Sequence, residues 1–172
     1  MGVTSRLRLR GHDYAEPASY YVTLCTEARL CLFGDVQDDN VELSVAGQVV
    51  ESWWGNLPLR FPMTGLDAFV VMPNHLHGIL TIQADPTVPI PEDVPNLSRI
   101  LQWFKSVTTV DYTLGVRDHG WPAFPGELWQ PGFYDHIIRN DRDLERIRAY
   151  IEGNPAGWTE DEFNMEPRKG RR

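Results

Sequence analysis

His75 and His77, separated only by Leu76, are the residue types in this sequence whose spacing most directly suggests chemistry. Residues i and i+2 of an extended strand project from one face. The two imidazoles would therefore stand side by side while Leu76 turns to the opposite face. Neutral imidazole is the commonest protein metal ligand, so the pair builds half of a metal site on one rigid element. A second feature comes late in the chain, where Tyr150 and Asn154 stand four residues apart in Tyr150-Ile151-Glu152-Gly153-Asn154. On a helix both face the same way, one turn apart. Each feature has an ordinary structural use: strand histidines pack, a helical tyrosine facing a sheet joins the core, and an asparagine before a proline ends a helix. If that helix face meets the histidines, His75, His77 and the Asn154 amide oxygen would hold a divalent cation, with Tyr150 within reach of whatever it polarises. The arrangement suits attack on a phosphodiester, with the cation as Lewis acid and the phenol as nucleophile. Mixed N and O ligands fit Mg²⁺ or Mn²⁺ when water and phosphate oxygens complete the shell, and the ligand types also admit Zn²⁺.

These residues need a framework. Tyr20 to Thr26, rich in β-branched and aromatic residues, predicts a first strand. Phe33-Gly34-Asp35 and Gln37 to Asn40 read as turns. Apolar positions Leu43, Ala46, Val49, Val50 and Trp53 mark one face of a helix that Leu57-Pro58 ends. Leu66 to Met72 and His75 to Ile82 read as the two arms of a hairpin turning at Pro73-Asn74, with the histidines opening its second arm. Residues 84–96 hold four prolines and read as a loop. Asn96 or Ser98 would cap a helix running to about Tyr112. Phe133 to Ile138 predicts a fourth strand, and Asp141 or Asp143 would cap a last helix ending at Gly153-Asn154-Pro155. The order β-α-β-β-α-β-α predicts an α+β fold: a ferredoxin-like (RRM-like) antiparallel sheet with helices on one face and the histidines on a central strand.

The bulk properties bound the function. A length of 172 residues, 42% of them hydrophobic, suits one domain spanning 1–172 with a real core. No apolar run approaches the roughly 18 residues of a membrane span, and no signal-type segment follows the basic start, which predicts a cytoplasmic protein. Cys25 and Cys31 are too few and too far apart for a disulfide framework or a metal knuckle. A net charge of -8 opposes nucleic-acid binding. The distribution softens that objection, because seven of the 16 basic residues are terminal: Arg6, Arg8, Arg10, Arg168, Lys169, Arg171 and Arg172. Charge segregated by face can still bind phosphate.

His75-Leu76-His77 resembles the His-hydrophobic-His motif of the HUH single-strand endonucleases. Nearly the whole chain resembles the REP-associated tyrosine transposases, single-tyrosine HUH transposases related to the smallest insertion-sequence transposases. The likeness runs through Gly11-His12-Asp13-Tyr14, Phe69 to Ile79, Phe104-Lys105-Ser106-Val107-Thr108, Leu128 to Arg139, and Tyr150 to Ala156. It implies that Tyr150 attacks single-stranded DNA at hairpin-forming repeats. A 5′-phosphotyrosine and a free 3′-hydroxyl would result, and a later reversal would rejoin the strand. It also implies that His75 and His77 hold the metal, with Asn154 where relatives place a polar third ligand, often the longer glutamine. Relatives act as dimers or as monomers.

The remaining candidates divide between function and framework. Tyr134 is a rival nucleophile without an i+4 amide. His136 would be a second-shell group, a DNA contact or a strand histidine bonded within the fold. Arg6, Arg8 and Arg10 would form a basic arm or a solvated leading strand, the second being the more ordinary use of such a pattern. Arg99, Lys105 and Arg139, with Trp103 and Trp129, would track phosphates and stack bases, or serve as surface and core. Tyr20 and Tyr21 read as structural, and Glu160-Asp161-Glu162 as a solvated face. The competing functional readings are a catalytically silent, domesticated hairpin-binding protein and an RNA-binding module on the same sheet.

Overall fold

A computed structural model describes residues 18–83 and 96–164. Strand β1 (Ala18–Cys25) is followed by a short hairpin, β2 (Gly34–Gln37) and β3 (Asn40–Leu43). Helices α1 (Val45–Gly55) and α2 (Leu57–Arg60) precede the long hairpin of β4 (Thr64–Met72) and β5 (His75–Ile82). Helix α3 (Leu97–His119), β6 (Tyr134–Ile138) and α4 (Asp141–Gly153) complete the order. Four strands form one antiparallel sheet in the order β4-β5-β1-β6, which is the ferredoxin-like arrangement expected. The histidine-bearing β5 is therefore central, paired with β4 on one side and β1 on the other. Among the described residues no helix is long and apolar enough to cross a membrane.

Strand alternation divides the sheet into two faces. Tyr20, Val22 and Leu24 of β1 and Leu76 and Leu80 of β5 point into the main core under α1 and α3. Gly78 faces the same way, and a Cβ there would lie 2.5 Å from the buried Trp54 ring. The opposite face carries His75, His77 and Ile79, and Ile79 packs with Ile147 and Ile151 of α4. The expectation of helices on one face holds for α1 and α3 but not for α4. The reason lies in its amphipathicity: Ile147 and Ile151 form a narrow stripe that fits the small apolar patch around Ile79, Val70 and Ile138.

Local signals account for the other boundaries. Ser44 caps α1 by accepting a hydrogen bond from the Gly47 N–H, and Asn96 caps α3 by accepting from Arg99. Helix α3 runs two turns past the expected end, to the left-handed Gly120. Gly115 permits this, because Trp121 packs where its Cβ would be. The stretch expected to be turns between Phe33 and Asn40 is a hairpin instead. Asp38 and Asp39 both adopt positive φ, the backbone of a tight two-residue connection, and the flanking strands are only four residues long. Asn140, rather than Asp141 or Asp143, caps α4 by accepting from the Asp143 N–H.

Helix α4 is tied to the sheet by a fork. The Arg148 guanidinium donates to both carboxylate oxygens of Asp67 on β4, at 2.8 and 2.6 Å. That contact holds the Asp67 carboxyl below its ordinary range. A carboxyl depressed in the folded state stabilises fully above its unfolded pKa, and the contribution is lost as pH falls through the lower folded-state pKa. Asp67→Asn should therefore cost about 0.5–1 kcal/mol at pH 7 and almost nothing below the carboxylate range. Urea melts from pH 7 down to pH 2 would check this, and a cost that does not shrink as pH falls would show that the fork does not anchor the helix.

Candidate active site: a buried histidine pair facing Tyr150

The turn at Pro73-Asn74 delivers His75 as the first residue of β5, and His77 follows on the same face with its ring centroid 4.4 Å away. Both side chains are buried. Asn74 fixes the first ring. Its amide nitrogen donates to the carbonyls of Arg29 (3.1 Å) and Phe163 (2.8 Å), which leaves Oδ1 to accept from His75 Nδ1–H at 2.8 Å. The second ring is fixed by β1, where the Tyr21 and Thr23 hydroxyls each lie 2.9 Å from His77 Nδ1. Thr23 donates to the Tyr21 oxygen at 3.2 Å, so its own oxygen is free to accept from His77 Nδ1–H. Both rings thereby present Nε2, and among the described residues neither Nε2 has a hydrogen-bond partner. Burial pushes His77 down to about 3, and burial followed by the neighbouring His77 pushes His75 well below the ordinary imidazole range. Both are neutral at pH 7, the form in which imidazole ligates metal.

Helix α4 sets the outer wall. The Tyr150 ring centroid lies 5.4 Å from that of His77 and 6.3 Å from that of Tyr21, with 46% of the residue exposed. Desolvation raises its phenol pKa, and the carboxylates of Asp161 and Glu162 raise it further. One turn on, Asn154 is buried beside the histidines, and its Oδ1 is a third acceptor without a hydrogen-bond partner among the described residues. An open cleft of about 450 Å³ is lined by Tyr150, Gly153, Asn154, Glu160 and Asp161, so the phenol faces solvent while the imidazoles lie behind it.

The segment after α4 closes the inner wall. Asp161 brings a carboxylate oxygen to a cluster in which its ligand atom and those of His75 and His77 all lie within 4.8 Å of one another. The Phe163 ring lies 4.7 Å from that of His75, tilted by 39°, and the Arg29 guanidinium lies 4.7 Å above the Phe163 ring. Two N donors and a carboxylate, with an amide oxygen nearby, are a donor set compatible with a divalent cation. The buried Nε2 atoms of His75 and His77 and the buried Oδ1 of Asn154, none with a hydrogen-bond partner among the described residues, fit such an occupant.

Other sequence candidates fall elsewhere. Tyr134 lies on β6, half-exposed, with its ring centroid 6.1 Å from that of Tyr21. His136 pairs with Asp143 at 2.7 Å and so links β6 to the first turn of α4. Trp129 is a correction: its indole is enclosed between Phe33 and Phe104 and donates to Thr108, which removes it from base stacking. Trp103 packs against Trp53 and Phe61. Lys105 donates to the Gln130 and Gly132 carbonyls, and burial lowers it to about 8, so its ammonium is spent on a loop. Arg99 and Arg139 are exposed, and neither belongs to the histidine cluster. Arg6, Arg8 and Arg10, and the basic residues after 164, lie outside the described residues.

Sequence reasoning overlooked Asn74, Tyr21, Thr23 and Asp161. Tyr21 and Thr23 were legible only as alternate positions on β1, because their role depends on the register that sets Thr23 opposite His77. The acidic run expected to be solvated contains a carboxylate that faces inward. The orienting role of Asn74 predicts that Asn74→Ala weakens Mn²⁺ binding about 10–100-fold without removing any donor from the cluster. Calorimetric titration would check this, and unchanged affinity would show that the amide does not orient His75.

No family model matches the chain. It is 30% identical over 176 residues to an uncharacterised protein of Haemophilus influenzae, across 93% of this chain and 92% of that one. A REP-associated tyrosine transposase of Escherichia coli is 30% identical over 95 residues, which span 54% of this chain and 46% of that protein. A solved structure of a REP-associated tyrosine transposase bound to a REP hairpin has the same fold. It aligns with a TM-score of 0.59 and 22% identity, over 84% of this chain and 70% of that one.

Proposed function

We propose that this chain, which is REP-associated tyrosine transposase-like in sequence and fold, cleaves and rejoins single-stranded DNA at hairpin-forming repeats, with Tyr150 as nucleophile. The observation that carries the reading is the half-exposed Tyr150 ring beside His77, in front of three buried acceptors that have no partner. The whole chain, 1–172, is read as one catalytic unit.

In the proposed reaction the Tyr150 phenol oxygen attacks phosphorus and forms a phosphotyrosine with the 5′ end of the strand downstream of the break. The bond from phosphorus to the 3′ oxygen breaks, and that oxygen leaves as a hydroxyl, taking up a proton in place of the one the phenol loses. A 3′-hydroxyl attacking the phosphotyrosine reverses the step and rejoins a strand. Phosphodiester bonds are conserved throughout, so no nucleotide triphosphate is needed. A divalent cation on His75, His77 and Asn154, Mg²⁺ or Mn²⁺, would polarise a non-bridging phosphate oxygen and offset the charge that opposes phenol ionisation.

The chain's own residues supply orientation. Tyr21, Thr23 and Asn74 hold the imidazoles in the ligating tautomer, while Ile147, Ile151 and the Arg148–Asp67 fork hold the helix that aims Tyr150. His136 acts through Asp143 on the start of that helix. Tyr150 and His77 come together within one chain, which supports action in cis by a monomer and does not require the trans arrangement of a dimer. Exposed Arg99 and Arg139, with the basic termini, are the phosphate contacts we propose for a hairpin, in a cytoplasmic setting.

The test is a denaturing-gel search for a protein–DNA adduct on single-stranded hairpins taken from sequence flanking the gene, with Mg²⁺, Mn²⁺ or EDTA. Wild type and Tyr134→Phe should form a metal-dependent adduct that Tyr150→Phe reduces at least about 1000-fold, the loss expected when a nucleophile is removed. An adduct persisting in Tyr150→Phe would transfer the role to Tyr134. Tight hairpin binding by both proteins without any adduct would favour the silent, binding-only alternative.

A further inference from the structure

We infer that Asp161 is itself a ligand of the divalent cation, so that metal binding clamps the segment 158–164 onto the sheet. The inference rests on the proposed metal site at His75 and His77 and extends it to a residue beyond α4. Asp161 sits in the loop that follows a short 3-10 turn at 158–160, eleven positions past Tyr150. Its carboxylate is the only acidic group among the described residues that meets both histidines within 4.8 Å. The two imidazole Nε2 atoms are buried and have no hydrogen-bond partner among the described residues, and the same two histidines form the cluster with Asp161.

The carboxylate is held in place from two sides. Oδ1 accepts from the Phe163 N–H at 2.7 Å, and Oδ2 accepts from Asn154 Nδ2 at 3.3 Å. The second contact also orients Asn154, since an amide that spends its nitrogen on Asp161 offers its oxygen elsewhere. Among the described residues no ion pair joins Asp161 to a basic side chain. A half-buried carboxylate with no basic partner among the described residues is costly to desolvate. A bound divalent cation offsets that cost, because it supplies positive charge at the carboxylate.

The donor set becomes two imidazole nitrogens, an amide oxygen and a carboxylate oxygen, and its charge changes from zero to -1. Added ligand charge raises affinity for a divalent cation. It also joins three separate pieces of chain: the β4–β5 turn, the end of α4, and the segment that carries Phe163 over His75. Metal loading is therefore coupled to the order of residues 158–164.

The experiment is a calorimetric Mn²⁺ titration of the full chain as wild type, Asp161→Asn and His77→Ala, with hydrogen exchange of each protein measured with and without Mn²⁺. Asp161→Asn keeps an oxygen that can accept from Phe163 N–H, so the local fold survives while the charge is lost. It should bind Mn²⁺ about tenfold or more weakly, and Mn²⁺ should slow exchange at 158–164 in wild type but not in this variant. Affinity of Asp161→Asn within twofold of wild type, with His77→Ala much weaker, would overturn the role of Asp161 and leave the histidine site standing. Unchanged affinity in both variants would overturn the histidine site and the inference with it.

Discussion

Everything in this site depends on two imidazole nitrogens that are buried and have no hydrogen-bond partner among the described residues. An unpaired buried polar atom costs about 1–3 kcal/mol, and His75 Nε2, His77 Nε2 and Asn154 Oδ1 make three in one place. Each is an acceptor, so no rearrangement among them can satisfy any of the others. The cost persists because both Nδ1 atoms are already engaged, His75 by Asn74 and His77 by Tyr21 and Thr23. The rings cannot rotate to find relief without abandoning those contacts. The fold thus stores an arrangement that an electrophile would relieve, and a divalent cation is the electrophile that suits the donor atoms.

The ferredoxin-like order explains how one chain achieves this. Placing β5 between β4 and β1 puts the histidines on a central strand, where neighbours on both sides can grip them. The main core under α1 and α3 takes the other face, with Gly78 admitting Trp54 directly behind the site. The histidine face is left with only a small apolar patch, enough for one narrow helix. Helix α4 occupies it and brings Tyr150 and Asn154 to the histidines, with the Arg148–Asp67 fork fixing its rotation. Scaffold stability and site geometry are therefore carried on opposite faces of the same sheet.

What was legible in the sequence was whatever depends on short periodicities. The i, i+2 spacing of His75 and His77 and the i, i+4 spacing of Tyr150 and Asn154 set each pair on its own element, and the βαββαβ order set the sheet. What was not legible depends on contacts between distant segments. Thr23 meets His77 only through strand register, Asn74 acts through carbonyls of Arg29 and Phe163, and Asp161 turns inward only because the chain folds back after α4. Trp129 misled for the opposite reason: an indole in a Gly- and Pro-rich loop looks exposed, but a hydrogen bond to Thr108 and two aromatic neighbours enclose it. The β2–β3 hairpin escaped because four-residue strands carry too few alternations to register.

The measurement that bears most directly on the buried histidine pair is pulsed electron paramagnetic resonance of the Mn²⁺-loaded protein, which detects nitrogen nuclei bonded to the metal. The account predicts two coordinated imidazole nitrogens in the wild type and one in His77→Ala. Bound Mn²⁺ with no nitrogen coupling, or with the same coupling in both proteins, would contradict it.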